Sequence, residues 1–275
     1  MLRALRARLP GEDFLYLGDT ARLPYGTKSA ASVVRYSTQC AQALTSRGIK
    51  ALVVACNTAA SVALPALAEV CHGVRVHGVV EPGAQAAVSA STTGSIAVLA
   101  TEGTIAGGAY SRAIARLAPS ARVTGIACPL FVALAEAGWV DGPIVELIAH
   151  RYLDGLMASQ DRPDTVLLGC THFPVLAPSL ARLLGPDVSI IDSAATTAVA
   201  VAEGLKATGR ISELVGRSGR VRFLATDDPE RFARVGSIFY GEPINAEAVE
   251  LIDLTPPAIE PADQSVAVTY STIRH

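Results

Sequence analysis

Short apolar runs alternate with longer amphipathic stretches along the whole chain. The runs are FLYLG (14–18), ALVVA (51–55), VHGVV (76–80), SIAVLA (95–100), VTGIA (123–127), TVLLG (165–169), VSIID (188–192) and VRFLA (221–225). Their lengths and β-branched content predict strands, and their continuous hydrophobicity predicts burial on both faces. Helix-period stretches lie between them, for example 29–46 closed by Gly48 and 193–208 closed by Gly209. This βαβ rhythm predicts an α/β fold of open, mostly parallel sheets flanked by helices, with ligand sites beyond the carboxyl ends of the strands. At the start, Leu2, Leu5 and Leu9 mark one helical face between Arg3, Arg6 and Arg8, and no Ser, Thr, Asp or Asn precedes them as a cap. From Thr255 the text is aperiodic and proline-rich, which predicts a loosely ordered tail over 256–275.

Composition narrows the function. The 275 residues suit two domains. A formal net charge of -2 gives no electrostatic footprint for nucleic acid, so a small molecule is the expected partner. Half of the residues are hydrophobic. Yet no apolar run approaches the roughly 18 residues of a membrane span. The opening residues also lack the apolar centre of a signal peptide, so a cytoplasmic location is expected, with no membrane partner. No strand is followed by a glycine-rich dinucleotide or Walker-type loop. The three lysines, Lys28, Lys50 and Lys206, lie in turn-like or late-helix contexts unsuited to a Schiff base, and no cofactor is expected.

Five cysteines, at 40, 56, 71, 128 and 170, form neither a Cys-x-x-Cys pair nor a zinc-finger set. Two of them share a frame: LVVACNTAA (52–60) and VLLGCTHFP (166–174) both run apolar strand, cysteine, polar residues, helix. A duplicated βαβ unit presenting one thiol from each of two facing lobes explains this echo, against the competing explanation of chance likeness between buried strands. A cysteine in this position has free helix-terminal amides beside its sulfur, which favour the thiolate. Paired thiols suit proton transfer at carbon, one as base on one face and one as acid on the other. Asn57, Thr58, Thr171 and His172 offer hydrogen bonds to the carboxylate and ammonium of an amino acid. A zinc site using Cys56, Cys170 and His172, and a Cys–His hydrolase, are the competing chemistries, but the first places two ligands on one turn and the second leaves the echo unexplained. Cys40, Cys71 and Cys128 read as buried filler.

Four segments carry a resemblance: LGDTARLPYG (17–26), VACNTAAS (54–61), ACPLFVALAEAGW (127–139) and LGCTHFP (168–174) are similar, in order and spacing, to the motifs of bacterial glutamate racemases in the aspartate/glutamate racemase family. The resemblance implies two pseudo-symmetric α/β lobes with the site between them, the first combining 1–80 with 190–255 and the second spanning 81–189. It implies cofactor-independent interconversion of L- and D-glutamate by Cys56 and Cys170, supplying D-glutamate for peptidoglycan. It further implies that His172 assists Cys170, that Glu136 supports His172, and that Tyr25 with Gly26, Asn57 with Thr58, and Thr171 with His172 bind substrate. Homodimers are common in the family, and no metal is implied. The His-Phe-Pro continuation of the second cysteine motif favours glutamate over aspartate. For Asp19 and Tyr25 a turn-stabilising role is the alternative.

The front of the chain departs from this pattern. Family members open with a strand and an Asp-Ser-Gly turn, whose aspartate assists the first cysteine and whose serine contacts substrate. Neither precedes the Leu2 helix, so the first sheet is expected to lack a central or near-central member. The expectation is a frame that begins upstream of Met1; the alternative is an impaired relative that only binds an acidic amino acid.

Overall fold

The computed structural model describes residues 1–212 and 218–254; the expected tail over 256–275 lies outside them. The strands are β1 (Phe14–Gly18), β2 (Ala51–Val54), β3 (Arg75–Gly78), β4 (Ser95–Ala100), β5 (Arg122–Ala127), β6 (Thr165–Gly169), β7 (Ser189–Asp192), β8 (Val221–Ala225) and β9 (Val249–Leu251). The α-helices are α1 (Leu2–Arg8), α2 (Ala30–Thr45), α3 (Asn57–Val62), α4 (Leu64–Val70), α5 (Val80–Ala90), α6 (Glu102–Gly107), α7 (Ala109–Leu117), α8 (Pro129–Glu136), α9 (Pro143–Met157), α10 (Ala177–Leu184), α11 (Ser193–Ala207) and α12 (Pro229–Tyr240).

All eight predicted strands form. The expected fold class holds: every strand pairing is parallel, and helices flank the sheets. Residues 95–100 and 165–169 are buried throughout because β4 and β6 are the central strands of a four-stranded sheet in the order β5-β4-β6-β7. Helix α2 starts where Ser29 accepts the Ser32 amide, and α11 starts where Asp192 accepts the Ala194 amide at 2.8 Å. Past their ends, Gly48 and Gly209 take positive φ. The third run ends earlier than its hydrophobicity predicts, because Val79 and Val80 are buried at the start of α5 instead of in a strand.

The remaining strands divide into a three-stranded sheet, β1-β8-β9, and a two-stranded sheet, β2-β3. Strands β1 and β2 thus belong to separate sheets. A cavity of about 1510 Å³ runs between them, lined along both strands and walled by Leu5, Leu9, Leu44, Val201 and Leu205. Leu5 of α1 and Leu9 at its C-cap bury against Val201 and Leu205 of α11, whereas Leu2 of the predicted face is only half-buried, and Met1 makes no side-chain cap. No helix among the described residues is long and apolar enough to cross a membrane.

Candidate active site

Chain direction places the chemistry. Parallel strands β2 and β6 deliver Cys56 and Cys170 just past their carboxyl ends, and both cysteines line the cavity. Cys56 is the N-cap of α3, where the amides of Ala59 and Thr58 and the Thr58 hydroxyl reach its sulfur. Cys170 receives the amides of His172 and Phe173 at the start of a one-turn helix, Phe173–Leu176. The two thiols lie within electrostatic reach, since charge on Cys56 raises the pKa of Cys170.

The expectation that these amides favour the thiolates is corrected by burial. Desolvation dominates at both positions: it pushes the Cys56 thiol up and Cys170 to about 12, against the smaller opposing pull of the amides. Neither thiol is a ready anion in these surroundings. A cation brought in with the substrate favours ionisation, as a neighbouring positive charge does.

Around Cys170 the polar partners form a relay. His172 Nδ1 lies 3.8 Å from Cys170 Sγ, and its Nε2 lies 2.7 Å from Glu136 Oε1. Glu136 ends α8, which carries it into the cavity wall. The hydrogen bond from His172, with the charges of His172 and Arg231, holds the Glu136 carboxyl below its usual range against the desolvation that opposes it. The resemblance therefore pointed to residues that do meet: Cys170, His172 and Glu136 form one chain of contacts.

Around Cys56 the surroundings are hydroxyls and amides. Thr58 Oγ1 lies 2.9 Å from Thr101 Oγ1 and 3.1 Å from Thr104 Oγ1, and the latter two are 3.0 Å apart. Asn57 Oδ1 accepts the Tyr110 hydroxyl at 2.6 Å, while its buried Nδ2 has no protein partner. An amide donor left unpaired at the edge of a cavity is costly unless a ligand oxygen meets it. Gly26 packs so tightly on Thr101 that a Cβ there would lie 2.6 Å from the threonine Cβ. Thr171 lines the same cavity.

Tyr25 is placed differently from its neighbour. Its hydroxyl bonds Asp19, which also holds Arg22 at 2.8 Å, and it faces Cys40 at 4.0 Å. The side chain thus fixes the turn, and the strand-following loop presents Gly26 to the threonine cluster. Thr101, Thr104 and Tyr110 were not singled out in the sequence. Thr101 had a signal: it ends an apolar run and caps α6 by accepting the Thr104 amide at 3.3 Å. Arg231 and Tyr16, which also line the cavity, had none, because their partners are distant in sequence. Among the described residues no group of three or more His, Cys, Asp or Glu is arranged to hold a metal ion.

Known proteins resemble this chain over most of its length. The family model for Asp/Glu/Hydantoin racemase matches residues 1–201. The glutamate racemase of Geobacter metallireducens is 45% identical over 241 residues, covering 88% of each chain. That of Koribacter versatilis is 40% identical over 273 residues, covering 91% of this chain and 93% of its own. Among solved structures, a glutamate racemase isoform of Bacillus anthracis superposes with a TM-score of 0.85 at 34% identity, covering 92% of both chains. The Francisella tularensis glutamate racemase, solved in complex with D-glutamate, has a TM-score of 0.84 at 32% identity over 92% of both chains.

Proposed function

The chain belongs to the Asp/Glu/Hydantoin racemase family, and on that premise we propose that it interconverts L- and D-glutamate by passing the α-proton between Cys56 and Cys170. The observation that carries this reading is the placement of two thiols, each past the end of its own parallel strand, on one cavity. Glutamate is favoured as substrate by the names of the relatives and by the D-glutamate held in the Francisella structure.

The zwitterion's carboxylate meets the Asn57 amide and the hydroxyls of Thr58 and Thr101, which Thr104 backs, and Thr171 supplies a further donor. Its ammonium offsets the desolvation that keeps the thiols neutral. One thiolate then takes the α-proton from one face, the electron pair being left on the α-carbon and spread into the carboxylate. The opposite thiol delivers its proton to the other face, and the two thiols exchange protonation states. No cofactor enters this sequence. Glu136 holds His172 in the orientation that serves Cys170. The D-glutamate so formed is the form used in peptidoglycan, and a cytoplasmic homodimer acting on the free amino acid is the expected setting.

The test is α-proton exchange in D2O, followed by NMR with either enantiomer. Exchange is expected with both, and loss of it is expected in the Cys56→Ser, Cys170→Ser double variant. Exchange that survives in the double variant removes the two-thiol mechanism.

A further inference from the structure

The geometry points to Arg231 as a positioning residue that completes the Cys170–His172–Glu136 relay from a separate element of the chain. The relay proper comes from α8 and the turn after β6. Arg231 comes from α12, between β8 and β9, and its Nη2 lies 3.3 Å from Glu136 Oε2, the oxygen that His172 leaves unused. The same helix lays Phe239 edge-on against the His172 ring, with centroids 5.1 Å apart. Helix α12 therefore touches two members of the relay and contributes none of its reacting atoms.

Arg231 sits in the first turn of α12, where the helix dipole disfavours a cation. The position is nonetheless firmly built. Asp228, at φ 43, caps the helix by accepting the Arg231 amide at 2.9 Å. The loop just before it is tied to the loop after β1: the Asp227 amide donates to Thr20 Oγ1 at 2.8 Å, the Ala21 amide donates to Thr226 Oγ1 at 3.0 Å, and Thr226 donates to Asp19 Oδ1 at 3.0 Å. Asp19 in turn holds Tyr25, next to Gly26 at the threonine cluster. One continuous set of contacts thus runs from the proposed substrate loop, through the α12 cap, to the carboxylate behind His172. The loop's contacts thus fix the cap from which Arg231 reaches Glu136. The ionisable groups facing Glu136 are His172, Arg231 and Tyr16 of β1.

This inference rests on the two-thiol reading, and its test separates the two. Arg231→Gln, Arg231→Lys and, as a control one turn along the same exposed face, Arg234→Gln are compared with the parent protein. The loss of one partly exposed charged contact, worth up to about 1 kcal/mol, predicts a fall of up to about fivefold in kcat/KM for Arg231→Gln, equal in both directions because enantiomers have an equilibrium constant of one. Its acid limb moves to higher pH, Arg231→Lys recovers most of the loss, and Arg234→Gln matches the parent. The primary isotope effect with α-deuterated glutamate rises for the enantiomer deprotonated by Cys170 and falls for the other, whose deprotonation by Cys56 becomes less limiting once proton delivery from Cys170 is slowed. A loss with an unmoved acid limb and equal isotope effects marks a merely structural residue and overturns the proposal, as does a variant indistinguishable from the parent. Carboxyl-carbon NMR of Glu136 gives a readout independent of turnover. Its titration moves upward in Arg231→Gln if the contact is made, even should the parent fail to exchange the α-proton, in which case the racemase reading alone falls. An unmoved Glu136 titration overturns the Arg231 assignment whatever the activity.

Discussion

Replacing Glu136 by Gln keeps the shape of the relay and removes its charge. In the parent protein Glu136 Oε1 takes a 2.7 Å bond from His172 Nε2, and both side chains are only 22% exposed. A charge-assisted hydrogen bond is worth about 1.5–3 kcal/mol, and partial solvent access places this one near 2 kcal/mol. If that stabilisation is needed when His172 assists Cys170, its loss lowers kcat/KM roughly 30-fold. Circular dichroism follows the approach to the racemic mixture from each pure enantiomer, and the two directions must fall together. The pH dependence supplies the sign. Glu136 has a depressed pKa in the folded protein, so its contribution is complete above the ordinary carboxylate value and is lost only as pH falls through the depressed one. The parent therefore retains activity into the acid range, and Glu136→Gln loses that limb while remaining slower at neutral pH. A variant within twofold of the parent at every pH refutes the relay.

Other outcomes follow from the same structure. Burial holds Cys40 near 11 and Cys128 and Cys170 near 12, so above the ordinary thiol pKa the unfolded chain releases protons that the native chain keeps. Stability then falls as pH rises, by an order of 2 kcal/mol per thiol at pH 10 relative to pH 8; urea titrations at the two pH values read it, and Cys128→Ala removes its share. Gly26→Ala forces a Cβ into Thr101, and a rise in KM is expected with about 1–3 kcal/mol of lost stability, read by substrate saturation and thermal melts. Asp164 accepts the amides of Thr92 and Thr93 at 2.7 and 2.6 Å and the Ser91 hydroxyl at 2.6 Å, so Asp164→Asn is expected to cost about 2 kcal/mol without altering catalysis.

The sequence disclosed the parallel strands because burial on both faces makes them continuous apolar text, and it disclosed Cys56 and Cys170 because they end two such runs in matching frames. It missed β9, whose three residues pair with β8 alone among the described residues and carry little pattern of their own. Glu136 and His172 were legible through their motifs. Arg231 and Tyr16 were not, because they enter the site from α12 and β1 and nothing in their local sequence marks a contact made 95 residues away, as between Arg231 and Glu136. The pKa of the thiols was misjudged for a related reason: amide donors at a helix start can be inferred from a strand-to-helix turn, whereas the desolvation that outweighs them depends on the packing of the whole cavity.

The central claim is that two thiols work on opposite faces of one carbon, and the first turnovers in D2O test it most directly. One pure protiated enantiomer is supplied, and the opposite enantiomer is isolated before a few per cent has formed. Two thiols predict that this product carries deuterium at the α-carbon essentially completely, because the proton leaves to one sulfur and the deuteron arrives from the other. Substantial retention of the original proton in the product means that a single base returned it, and contradicts the account.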